Sequence, residues 1–129
     1  MPPTRRILVV DDNDALRENI AEALELEGYP VEAVASGSLA LAALARDPLP
    51  DVVLIDMMMP GMTGGELVAT LRRDPRLAPL KVVLVSGVAP APARALLPVD
   101  AVLGKPFGVA DLLEVVARLL PAPPSAATP

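Results

Sequence analysis

A series of short apolar runs, rich in Val and Ile and evenly spread, constrains this chain more than any other feature. Ile7-Leu8-Val9-Val10, Val52-Val53-Leu54-Ile55 and Val82-Val83-Leu84-Val85 are uninterrupted; Val31 to Ala35 is weaker, and Ala101-Val102-Leu103 is short. A strand with one wet face alternates apolar with polar residues, whereas a strand covered on both faces reads as a continuous run. These runs therefore predict strands of a parallel sheet. The segments between them have helical periods. Strands alternating with helices predict an α/β fold, a doubly wound five-stranded parallel sheet with helices on both faces.

The first helical stripe is Leu16, Ile20, Ala23, Leu24 and Glu27, with Asn13 or Asp12 as N-cap and Gly28 as stop. Ser36 can cap a second helix carrying Leu39, Leu41, Ala42 and Leu44. Thr63-Gly64-Gly65-Glu66 has the capping-box pattern and opens a third, with Leu67, Val68 and Leu71. Val109, Leu112, Leu113, Val116, Leu119 and Leu120 mark a final helix ending near Pro121. Between them, Pro90, Pro92 and Pro98 interrupt the region from Val88 to Pro98. A fourth helix there should be short or irregular, about Ala93 to Leu97. The expected unit is residues 5–120, followed by a disordered Pro/Ala-rich tail over 121–129.

Composition narrows the chemistry. Of 129 residues, 53% are hydrophobic and only 2% aromatic, so the core must be aliphatic. With no Cys and no His, thiolate chemistry, Ser-His-Asp catalysis and most zinc sites are excluded. A net charge of −5 gives no general attraction to nucleic acid or anionic lipid. The apolar run near the N-terminus is too short for a signal peptide, and no stretch reaches a membrane span. A cytoplasmic location is the expectation.

Right-handed crossovers place the loops that follow each strand on one edge of the sheet. The residues found there are Asp11-Asp12 after the first strand, Asp56 after the third, Ser86-Gly87 after the fourth and Lys105-Pro106 after the fifth. Three carboxylates placed together repel one another, and their pKa values rise unless a cation intervenes. A hard divalent ion resolves this, and Mg²⁺ prefers such oxygen ligands. Lys105 adds a second positive charge and Ser86 a hydroxyl. A carboxylate nucleophile, divalent cation, lysine and hydroxyl can together stabilise charge on a transferring phosphoryl group. Met57, Met58 and Met59 read as core filling and surface apolar groups rather than a soft-metal cluster. Gly64-Gly65 lacks the pattern of a phosphate loop.

The runs ILVVDDN, VVLIDMMMPGMTG, VVLVSG and LGKPF resemble those of response-regulator receiver domains from Arg6 to about Leu120. The resemblance implies a flavodoxin-like sheet of order 2-1-3-4-5. It implies Asp56 as the phosphorylated aspartate, and a Mg²⁺ site of Asp11, Asp12, Asp56 and the backbone carbonyl of Met58. Ser86 would be the hydroxyl that moves toward the phosphoryl group, and Lys105 the phosphate-binding lysine before a cis Lys105-Pro106 bond. Implied partners are a sensor histidine kinase or histidine phosphotransfer protein and a downstream protein. The chain would be a monomer or a phosphorylation-linked dimer. It would be a switch that catalyses only its own modification, not a turnover enzyme, and no output domain follows in these 129 residues.

Four positions depart from that family. Val102 stands where a Tyr or Phe rotamer often reports the state. Met58 and Val88 are apolar where polar side chains help water attack the phospho-aspartate, which predicts slow self-dephosphorylation. Gly108 replaces a Ser or Asp cap of the last helix, a tolerable exchange. Rival readings are weaker. Aspartyl-phosphate phosphatases place the nucleophile after their first strand in an Asp-x-Asp pattern. A phosphorylation-independent interaction module would not need all of Asp11, Asp12, Asp56, Ser86 and Lys105. A flavin would meet an acidic edge with few aromatics.

Overall fold

The computed structural model describes residues 5–87 and 98–120. The strands are β1 (Ile7–Val10), β2 (Val31–Val34), β3 (Val52–Asp56), β4 (Lys81–Ser86) and β5 (Ala101–Gly104). The helices are α1 (Asp14–Leu26), α2 (Gly37–Leu44), α3 (Gly64–Arg73) and α4 (Val109–Leu119). All strand pairs are parallel, in the order β2-β1-β3-β4-β5. The doubly wound α/β sheet read from the sequence is therefore the fold. The short helix expected near 93–97, Val88 and the tail 121–129 lie outside the described residues.

Strand periodicity divides the core into two layers. Ile7, Val9, Val52, Leu54, Val83 and Val85 face α1 and α4. Leu8, Val10, Val53, Ile55, Val82 and Leu84 face α2 and α3. Both sides of β1, β3 and β4 are thus dry, which is why their sequences do not alternate. At one edge β2 is only half-covered. Its exposed Glu32 pairs with Arg46 at 2.9 Å.

The helix boundaries follow their caps. Asn13 accepts from Leu16 N–H, Ser36 from Leu39 N–H, and Thr63 forms the full capping box with Glu66. Of the two candidates for the first cap, Asn13 is the one used. Gly28 ends α1 at φ +94°, a conformation that side chains with a Cβ resist. At the last helix Asp111 accepts from Gly108 N–H at 3.1 Å, so a side chain at the third helical position serves the start that glycine leaves uncapped.

Some helix faces differ from the sequence reading. Ile20 and Leu24 are buried, but Glu27 is exposed and is the C-cap residue of α1. In α2 the buried residues are Gly37, Ala40 and Leu44, whereas Leu39 and Ala42 face water. Almost every residue of GSLALAAL is small or apolar, so its period does not reveal the inner face. In α4 Val115 is buried and Val109 exposed. The third helix matches on Leu67, Val68 and Leu71.

Gly64 opens α3 directly beneath the end of β3. Its N–H donates to the Met57 carbonyl at 3.0 Å. A Cβ here would collide with the Asp56 carbonyl oxygen and lie 2.8 Å from Met57 Cα. Backbone cannot yield as a flexible side chain can. We expect Gly64→Ala to destabilise the fold by about 1–3 kcal/mol, the usual range for overpacking. Urea unfolding would show this as a lower midpoint with an unchanged slope.

Candidate functional site

Alternation along parallel strands brings the polar residues of the carboxyl edge together. In β1, Asp11 continues the parity of Ile7 and Val9; in β3, Asp56 continues that of Val52 and Leu54. The β1–β3 register, ending at Val10↔Ile55, then sets Asp11 beside Asp56. Asp11 is 2% exposed and Asp56 4% exposed, while the neighbouring Asp12 faces solvent. One carboxylate oxygen from each of Asp11, Asp12 and Asp56 lies within 4.8 Å of the others.

The turn after β1 is firmly held. Asp11 N–H donates to Val34 O at 3.1 Å. Its Oδ1 accepts from Asn13 N–H at 2.9 Å, and its carbonyl accepts from Arg17 Nη1 at 2.9 Å. Arg17 also pairs with Asp14 at 2.6 Å. Asn13 and Arg17 thus position the acid cluster without belonging to it. The Asx spacing from Asp11 to Asn13 was visible in the sequence; the reach of Arg17 across the first turns of α1 was not.

The cationic side is built by β4 and β5. Ser86, 6% exposed, pairs with Gly104, and Lys105 N–H donates to Ser86 O at 2.8 Å. Lys105 Nζ lies 3.1 Å from Asp56 Oδ1. The Lys105-Pro106 bond is cis, as the sequence resemblance implied; Asp47-Pro48 is cis as well. Met58 is 67% exposed, Met59 is buried, and Met57 and Met62 pack against the α2–α3 core layer. These four methionines are therefore core-packing or surface side chains.

The acid cluster is electrostatically expensive. Burial pushes the Asp11 carboxyl above its usual range, and the charges of Asp56 and Asp12 push it the same way. The hydrogen bond from Asn13 N–H and the charge of Lys105 act in the opposite direction. An all-oxygen donor set with excess negative charge suits a hard divalent cation, which would relieve that repulsion.

Comparison with known proteins agrees with this geometry. Residues 7–117 match the response regulator receiver domain family. This chain belongs to that family. The receiver is 38% identical over 116 residues to response regulator MprA of Mycolicibacterium vanbaalenii, covering 89% of this chain and 50% of that protein. It is 43% identical over 83 residues to response regulator PleD of Caulobacter vibrioides, covering 64% of this chain and 18% of that one. The receiver thus spans half or less of these relatives. Among solved structures it superimposes on chemotaxis protein CheY4 of Vibrio cholerae with a TM-score of 0.85 and 28% identity, covering 92% of this chain and all of that one. Receivers of this kind serve two-component signalling, through histidine kinases or phosphotransfer proteins.

The raised Asp11 pKa has a defined sign in stability. The folded protein holds this proton more firmly than the unfolded chain, so the effect favours folding at low pH. It turns into a penalty as pH rises from 3.8, the unperturbed value, through the folded pKa, and the penalty persists at neutral pH. With a chelator at neutral pH, Asp11→Asn should therefore melt above wild type, and the gap should close as pH falls. Added Mg²⁺ should raise the melting temperature of wild type more than that of the variant. Thermal scans across pH, with and without Mg²⁺, check both.

Proposed function

We propose that this receiver takes a phosphoryl group on Asp56 from the phosphohistidine of a sensor histidine kinase or phosphotransfer protein. The observation that carries this reading is the placement of Asp56. Its buried carboxylate stands between the Lys105 ammonium at 3.1 Å and the carboxylates of Asp11 and Asp12. A structural aspartate would need only the lysine. A carboxylate that faces both a cation and an acid cluster is suited to a reaction in which a further cation and a phosphoryl group enter together.

Asp11, Asp12 and Asp56, with the backbone carbonyl of Met58, would hold Mg²⁺. Bound there, the ion offsets negative charge on the phosphoryl oxygens. The Asp56 carboxylate attacks phosphorus in line; an O–P bond forms as the donor's N–P bond breaks and the imidazole leaves. Lys105, freed from its pairing with Asp56, offsets charge on the phosphoryl group as a mobile point charge. Ser86 hydrogen-bonds a phosphoryl oxygen, and its shift alters the surface read by a downstream protein partner. The protein so described catalyses its own modification and is a switch. The working unit is residues 5–120.

Val102 is half-buried against the α2–α3 layer and has no aromatic ring to rotate. The state is then read out through backbone and aliphatic packing. Met58, apolar and exposed, offers no strong hydrogen bond to an attacking water, so the phosphorylated form should be long-lived.

Intact mass after incubation with acetyl phosphate and Mg²⁺ should show one added phosphoryl group, absent in Asp56→Asn and with a chelator. No addition to folded wild type, from acetyl phosphate or from a phosphohistidine donor, would overturn the reading. Once phosphorylated, Met58→Asn should lose the group faster than wild type, measured by mass over time.

A further inference from the structure

The two strands that carry Ser86 and Lys105 are pinned at their far end by a pair of charged side chains. β5 is four residues long, lies at the end of the sheet and, among the described residues, pairs with β4 alone. Only Leu103 of this strand is fully buried, so its apolar pattern fixes its register weakly. A slip of one residue would carry Lys105 roughly 3.3 Å along the strand and turn it to the other face. The pairing of Lys105 with Asp56 would then be lost.

Asp100, immediately before β5, is tied to β4 at one residue. Its N–H donates to Val82 O at 2.9 Å, and its Oδ2 accepts from Val82 N–H at 2.8 Å. Both hydrogen bonds go to a single residue, one step below the first ladder pair, Val83↔Ala101. The same Oδ2 accepts from Arg72 Nη2 at 3.1 Å. Arg72, on the last turn of α3, also donates through Nε to Pro98 O at 2.8 Å. Its Nη1 reaches Ala78 O at 2.6 Å and Leu80 O at 2.7 Å. One guanidinium, whose side chain is 20% exposed, thereby joins the approach to β4 with the approach to β5. A planar fork spreads five donors over three nitrogens and so reaches four separate oxygens here; a lysine has three donors on one nitrogen.

We propose that Asp100 and Arg72 are positioning residues for Lys105. They set the β4–β5 register from the amino ends of those strands, so that the lysine at the opposite end arrives against Asp56. The proposal rests on the reading of Asp56 as phosphoacceptor and Lys105 as its charge partner.

The test uses Asp100→Ala and Arg72→Met, each alone and combined with Lys105→Met, in the full chain. Phosphorylation of Asp56 by acetyl phosphate at saturating Mg²⁺ should slow roughly 10- to 100-fold in each single variant, the scale expected of a misplaced group. Mg²⁺ affinity should not fall, because the acid cluster lies on β1 and β3 and loses only the competing charge of Lys105. Asp100→Asn, which keeps an oxygen acceptor for Val82 N–H, should restore most of the rate, and it also serves if Asp100→Ala does not fold. In the Lys105→Met background Asp100→Ala should cause no further slowing, since both changes remove the same contribution. Equal slowing with and without Lys105, or an unchanged rate in folded variants, would overturn the proposal.

A second readout needs no phosphorylation. The NMR shift of the Lys105 ε-methylene should respond to Asp56→Asn in the otherwise wild-type chain and not in the Asp100→Ala chain. The same response in both overturns the proposal. A wild type that accepts no phosphoryl group, yet shows the predicted NMR difference, would sink the phosphoacceptor reading and leave the register lock standing.

Discussion

Two buried carboxylates side by side, Asp11 and Asp56, set the terms for the rest of this molecule. Burial and the charge of its neighbour push the Asp11 carboxyl above its usual range, so a compensating charge close at hand favours the pair. Lys105 supplies one, and it comes from the most remote strand of the sheet relative to β1. Every feature that delivers Lys105 to Asp56 therefore matters for the acid pair as well. That includes the parallel direction of all five strands, the short β5 and the ties at its start.

The two helical layers have separate parts in this. α1 and α4 cover the face toward which Asp11 and Asp56 continue the strand parity, and Arg17 of α1 grips the turn that carries the acids. α3 works from the other face. Its first residue is wedged under the backbone of Asp56, and its last turn holds the approach to β5. A single helix is therefore attached to the strand of Asp56 at one end and to the approach to β5 at the other.

The sheet was legible because strands covered on both faces leave uninterrupted Val/Ile runs, and the site was legible because parallel strands send their carboxyl ends to one edge. Asp11, Asp12, Asp56, Ser86 and Lys105 could be named from position alone for that reason. The α2 face was not legible, since alanines on every side of a helix carry no directional signal. Gly64, Arg72 and Asp100 were also hidden. Their importance comes from a backbone approach and from hydrogen bonds spanning 18 to 28 residues of sequence, and no local pattern records such contacts. The segment around Ala93 and the Pro-rich tail fall outside the described residues.

The outer strand β2 has a consequence of a different kind. A sheet with an open, regular edge is a template on which another chain can add a strand, and so on into a fibre. Here the edge strand is only four residues long, and it carries Glu32 bridged to Arg46. An incoming strand would find few backbone groups to pair with and a charged pair to desolvate. Brevity and charge thus make this edge of an otherwise aliphatic sheet a poor template for strand addition.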